Sequence, residues 1–378
     1  MAAIICFIAF VPMLIVVKNN NFTTTALYAA LSSASALFVV YLFALTKLTI
    51  SSAIVQFLIF ALPWVFYQLI RLRHNEKLGY LALVSSWVFL EWMAAQYIGK
   101  WLGLQLGHAA IVLPFLVQWY EFLGISAGTV WILAINIHIS RIILPAQSYT
   151  RKQASMNGIL VLLLPVIVSI CWTDHQKTGS ISGKIIDLNG RQTLILDNNE
   201  VLSANEKRIS DNLYESASDT VENATITNAK GEKSTILARK VRIGSIGGVK
   251  NQFIVTSNFN RQIYGLVNGS SLLRADLIRL YALEKCSLLI CIDDDSNVSP
   301  AIAVSRAMEN NLNILVLKKD RSQLYLKTGA QMRPSSNFNL DAQKHGFFSL
   351  YGDLTGRLSI FVSIWMLLGT IVKPFRKK

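Results

Sequence analysis

Two cysteines and three aspartates fall in one short stretch, Cys286-Ser-Leu-Leu-Ile-Cys291-Ile-Asp-Asp-Asp295. A thiolate next to a base is a nucleophile, and clustered carboxylates can hold a divalent cation. The same letters also read as a core strand with small sulfur-bearing hydrophobes and a solvated acidic end. In a strand, residues five apart point to opposite faces, so Cys286 and Cys291 cannot pair without a turn. Cys6 and Cys171 lie in apolar runs, and no Cys/His spacing resembles a zinc site. No metal and no cofactor are expected. Glu91, in "SSWVFLEWMAAQ", is a further candidate because it sits inside an apolar run. An intramembrane carboxylate is either a functional group or a polar anchor between helices.

The elements that must carry these residues are of two kinds. The chain has 378 residues, of which 52% are hydrophobic and 15% charged, too apolar a balance for an ordinary soluble domain. Seven runs, 2–17, 25–46, 51–70, 79–98, 125–143, 155–172 and 356–373, approach the roughly 20 apolar residues that a membrane span requires. The first has neither a basic start nor a small-residue cleavage site, so it reads as a retained span. Residues 101–122 are apolar but interrupted by Gly, His108 and Pro114, which predicts an outer loop or re-entrant hairpin. Glu91 together with Trp119, Tyr120 and Glu121 of that loop would line a lipid groove.

Residues 174–353 differ in composition and predict one soluble α/β domain. Strands are predicted at 181–187, 192–197, 235–243, 252–256, 262–267, 287–292, 313–317 and 323–327. Helices are predicted at 204–218, 270–284 and 299–311, the last opening with Ser299-Pro300. The organisation is therefore a six-span membrane domain over 1–173, an extracytoplasmic domain over 174–353, and a closing transmembrane helix with a basic tail over 354–378.

The net charge of +14 is a topology signal. The 174–353 segment carries 22 basic and 19 acidic residues, and the excess elsewhere gathers at Arg71/Arg73/Lys77, Arg141/Arg151/Lys152 and Lys373/Arg376/Lys377/Lys378. Alternating spans place these on one face, which the positive-inside rule makes cytoplasmic. The 174–353 domain then lies on the other side, periplasmic in a bacterium, and no nucleic-acid partner is implied.

The stretches at 87–93 ("WVFLEWM"), 113–136 ("LPFLVQWYEFLGISAGTVWILAIN"), 305–317 ("SRAMENNLNILVL") and 352–368 ("GDLTGRLSIFVSIWMLL") together resemble the bacterial apolipoprotein N-acyltransferases, in the form found in Bacteroidetes. The first is similar to that family's W-x-x-x-E motif, with Glu91 as the acid. The second resembles its loop and following span. The third is similar to its R-A-x-E helix and next strand, and the fourth to its G-D-x-x-G-R entry to the last span. The resemblance implies an inner-membrane protein, monomeric, whose outer domain is a reduced nitrilase-like layered α/β sandwich. It implies phospholipid and diacylglyceryl-lipoprotein as partners. It also implies a Glu-Lys-Cys set in which the Cys takes an acyl chain as a thioester and passes it to a lipoprotein amine.

Carried over residue by residue, that set departs from the family's pattern. Counting back from Arg279 and Asp295 puts the nucleophile position at Gly269-Ser270, where no cysteine stands. "RKVRIG" (239–244) echoes the family's K-x-K-L-V-P and makes Lys240 the lysine candidate. No W-P-E motif supplies a base. Cys286 and Cys291 then belong to the strand downstream of the nucleophile, and Ser270 would need an activating base. The expectation is a family homologue without the usual catalytic set, or else a non-catalytic protein that binds lipid or lipoprotein.

Overall fold

A computed structural model describes residues 5–44, 50–97, 105–144, 150–173, 180–188, 191–196, 200–202, 225–227, 233–245, 248–259, 262–292, 299–317, 323–332, 338–341 and 346–372. It divides into two compact units. One comprises 1–112, 123–168 and 353–378; the other comprises 113–122 and 169–352.

The first unit is helical: α1 (Val11–Asn19), α2 (Phe22–Ala44), α3 (Ile50–Arg73), α4 (Glu76–Tyr97), most of α5 (Tyr120–Ile143) and α6 (Arg151–Thr173), and α10 (Leu354–Val372). Among the described residues four segments, Ala53–Arg73, Glu76–Gln96, Tyr120–Ile143 and Arg151–Trp172, are long and apolar enough to cross a membrane. This is a membrane protein. The helix Phe22–Ala44 has 23 residues and Leu354–Val372 has 19, close to 30 Å at about 1.5 Å per residue. The core is built on Trp64, Trp87, Tyr67, Tyr80, Leu14 and Leu133. The rings of Trp64 and Trp87 meet edge to face, with centroids 6.1 Å apart.

The expected span at 2–17 is corrected. Residues 7–10 form a turn, and α1 is nine residues long, about 14 Å. Pro12 stands in the first turn of α1, where its missing N–H leaves no intrahelical bond unmade. At the other predicted edge, Gly124 adopts φ 72° and breaks the helical path inside α5, so the continuous span begins at 125 as expected.

The described residues of the second unit form two sheets. A four-stranded antiparallel sheet has the order β12-β1-β2-β3, from Phe338–Asp341, Ser180–Leu188, Arg191–Leu196 and Glu200–Leu202. An eight-stranded mixed sheet has the order β11-β10-β9-β8-β7-β6-β5-β4. Its strands are β4 (Thr225–Thr227), β5 (Lys233–Ser245), β6 (Gly248–Phe259), β7 (Gln262–Asn268), β8 (Cys286–Ile292), β9 (Asn313–Leu317), β10 (Gln323–Tyr325) and β11 (Gln331–Met332). Strands β7, β8 and β9 are parallel, and helices α7 (Ala275–Leu283) and α8 (Pro300–Glu309) make the two crossovers. A parallel strand covered on both faces reads as a continuous apolar run, and "CSLLICI" does. α7 turns Leu277, Ile278, Tyr281 and Ala282 inward at helical spacing. The expected helix at 204–218 and the aspartates 293–295 lie outside the described residues.

Candidate functional site

Glu91 projects from α4 and is 2% exposed. Its Oε1 accepts hydrogen bonds from the Trp87 indole N–H at 3.0 Å and the Leu106 backbone N–H at 2.9 Å. Its Oε2 accepts from the Thr129 hydroxyl at 2.7 Å. The Thr129 oxygen in turn accepts the Gly107 N–H at 3.0 Å. One carboxylate thus ties α4, α5 and the 3₁₀ turn Leu106–Val112 together. A Cβ on Gly107 would run into the Ile125 carbonyl, which is why glycine stands at this close approach. Of the two readings open for an intramembrane acid, this geometry matches the polar anchor.

The segment 113–122 belongs to the second unit. The Gln118 backbone N–H donates to Ser169 Oγ at 3.1 Å, and its side-chain amide donates to the carbonyls of Pro114 and Thr328 at 2.9 and 2.8 Å. Gly329, at φ 82°, sits against Pro114 and Met308 in the turn between β10 and β11. Glu121 Oε2 accepts from the Trp172 indole at 3.0 Å, and its stem packs against Gly346. Trp119 and Tyr120 meet edge to face at 4.8 Å. Trp119, Tyr120 and Glu121 are all buried, so the apolar loop letters spell an internal brace.

In open α/β sheets ligands bind beyond the carboxyl ends of the parallel strands. Here β7, β8 and β9 end level, with Asn268 beside Ile292 and Ile292 beside Leu317. Gly269 and Ser270 follow in the 3₁₀ turn Gly269–Leu273. Lys240 pairs with Phe253 across β5 and β6, and β6 meets β7 at Val255–Leu266. Continuing that antiparallel register by two residues sets Phe253 level with Asn268. Lys240 therefore lies near the same sheet end as Ser270, two strand spacings or about 10 Å from the end of β7.

Cys286 opens β8 at the opposite end, and Cys291 stands one residue before Ile292 at this edge. Cys286 and Cys291 are both fully buried within β8. Burial, with a smaller push from Glu284, drives the Cys286 thiol up to about 12. Such a thiol stays protonated at neutral pH, and the thiolate is the nucleophilic form.

No protein-family model matches the chain, and no curated protein matches it.

Two groups were missed as partners in the sequence. Thr129 completes the Glu91 anchor, but an isolated threonine in an apolar run gives no signal. Arg306 and Glu309 form an ion pair at 2.6 Å with both side chains 1% exposed. Arg306 also donates to the carbonyls of Leu272 and Leu273 at 3.2 and 3.4 Å, fixing the end of the turn that carries Ser270. The i,i+3 spacing was the available signal. In 352–357, Asp353 Oδ1 accepts the Gly356 N–H at 2.7 Å and Oδ2 accepts from Ser126, capping α10. Among the described residues there is no group of three or more His, Cys, Asp or Glu that could hold a metal.

Proposed function

We propose that this chain is a relative of apolipoprotein N-acyltransferase that binds phospholipid or diacylglyceryl-lipoprotein at a bacterial inner membrane, with cysteine-based acyl transfer lost. The observation that carries this reading is the burial of both cysteines of the 174–353 segment inside the core strand β8. The parallel β7-β8-β9 core with its two helical crossovers is compatible with a reduced nitrilase-like layer, and supports the fold side of the proposal. On this reading the 174–353 segment is periplasmic, and the chain acts as an accessory protein.

The test is equilibrium binding of a fluorescent diacylglyceryl-cysteine peptide to the purified full-length chain in nanodiscs, with the peptide's mass read afterwards. Saturable binding with an unmodified peptide is expected. A peptide returned with a third acyl chain would overturn the loss of transfer, and absence of binding would overturn the lipoprotein-binding part.

A further inference from the structure

Four aromatic side chains form a row within the second unit. Phe122 meets Trp172 edge to face at 4.4 Å, lies 6.5 Å from Phe347, and Phe347 is 4.5 Å from Tyr351. Each belongs to, or directly precedes, an end of an apolar helix. Phe122 is in the first turn of α5, Trp172 in the last turn of α6, and Phe347 and Tyr351 form α9 (Phe347–Tyr351) just ahead of α10. These short distances gather Phe122, Trp172 and α9 within the second unit.

The row is held in place from the protein side. Glu121 accepts the Trp172 indole N–H. The Arg279 guanidinium donates to the carbonyls of Ser349 and Leu350 at 2.8 and 2.9 Å, fixing α9. α9 turns Phe348 and Ser349 inward and leaves Phe347, Leu350 and Tyr351 38%, 48% and 55% exposed. Exposed aromatics clustered on a fixed scaffold mark an interaction surface.

We propose that this row is an interfacial anchor that seats the non-cytoplasmic ends of α5, α6 and α10 at the boundary between phospholipid headgroups and acyl chains. Tryptophan and tyrosine concentrate at that depth because each ring is apolar with a polar edge. Charge at the opposite helix ends agrees: Arg141 closes α5, Arg151 and Lys152 open α6, and Lys373 follows α10. Lipid is the committed occupant because the two helices that bear Phe122 and Trp172, Tyr120–Ile143 and Arg151–Trp172, are long and apolar enough to cross a bilayer. The inference rests on those helices and is independent of the acyltransferase reading.

The test uses the full-length chain in phosphatidylcholine nanodiscs with an environment-sensitive fluorescent amino acid at position 351, and separately at 347. Nitroxide quenchers are carried on the lipid headgroup, high on the acyl chain, or at its end. The proposal expects both positions to be quenched severalfold more by the headgroup and upper-chain labels than by the chain-end label. Absence of quenching by all three would mean water or protein covers the row, and strongest quenching from the chain end would mean full immersion. Either result overturns it, whether or not the chain binds lipoprotein.

Discussion

The Thr129 hydroxyl donates to Glu91 Oε2 at 2.7 Å and at the same time accepts the Gly107 N–H at 3.0 Å. The pair therefore works as a relay that fastens an irregular turn to two helices. Irregular backbone near membrane helices persists only where its polar groups find such partners.

Replacing Glu91 with Gln keeps the size but substitutes a donor for one acceptor oxygen. One of the three donors around it is then left unpaired, at a cost of about 1–3 kcal/mol. Thermal unfolding in detergent is expected to show this loss for Glu91→Gln, and a loss of similar direction for Thr129→Val. An unchanged midpoint in both would contradict the anchor role.

The buried Arg306–Glu309 pair predicts a non-additive cycle. Removing one member strands a buried charge, which costs about 3–5 kcal/mol, whereas an apolar pair of similar volume recovers most of that. Urea unfolding should therefore rank Arg306→Met and Glu309→Leu as severe and the double variant as milder. Additive losses would show that the ion pair is not the coupling contact.

Gly329 is held at φ 82° against Pro114 and Met308. Gly329→Ala adds left-handed strain and a steric clash together, at about 2–4 kcal/mol. Limited proteolysis should reveal earlier cleavage around the 326–330 turn, while cleavage at the wild-type rate would remove the bracing contact from this account.

Cys286 predicts both thiol reactivity and alkaline stability. Its folded pKa is raised above the ordinary thiol value, so the stabilisation from keeping it neutral is fully present below about pH 8.5, the unfolded value. Stability should then fall as pH rises from there toward about 12. Maleimide should leave Cys286 unlabelled in the native protein and label it once the chain unfolds. Native labelling of Cys286 would contradict its burial in β8.

Much of the fold was legible in local pattern. The runs at 51–70, 79–98, 125–143 and 155–172 became the four membrane-length helices because sustained apolarity over that length has few other uses. Eight predicted strands fall on described strands, and Ser299-Pro300 opens α8 as expected. Strands β3, β4, β11 and β12 were not foreseen, being two to four residues long and too short to show a period of two. The run 2–17 misled because hydropathy does not register the turn at 7–10 that precedes α1.

The candidate site was less legible. Glu91 was visible as an acid in an apolar run, but its partners Thr129 and Leu106 lie 38 and 15 residues away. Such contacts depend on how helices pack and leave no local trace. The Leu113–Phe122 letters gave apolarity without direction, and only the Gln118 and Glu121 hydrogen bonds reveal a brace.

The most direct measurement is the intact mass of the full-length chain after incubation with phospholipid, before and after hydroxylamine. This account predicts the unmodified mass throughout for a folded, lipid-binding protein. A hydroxylamine-labile acyl adduct absent from Cys286→Ala or Cys291→Ala would contradict it by showing a working thiol. A hydroxylamine-resistant adduct absent from Ser270→Ala would contradict it equally, by showing an oxygen ester at the end of β7.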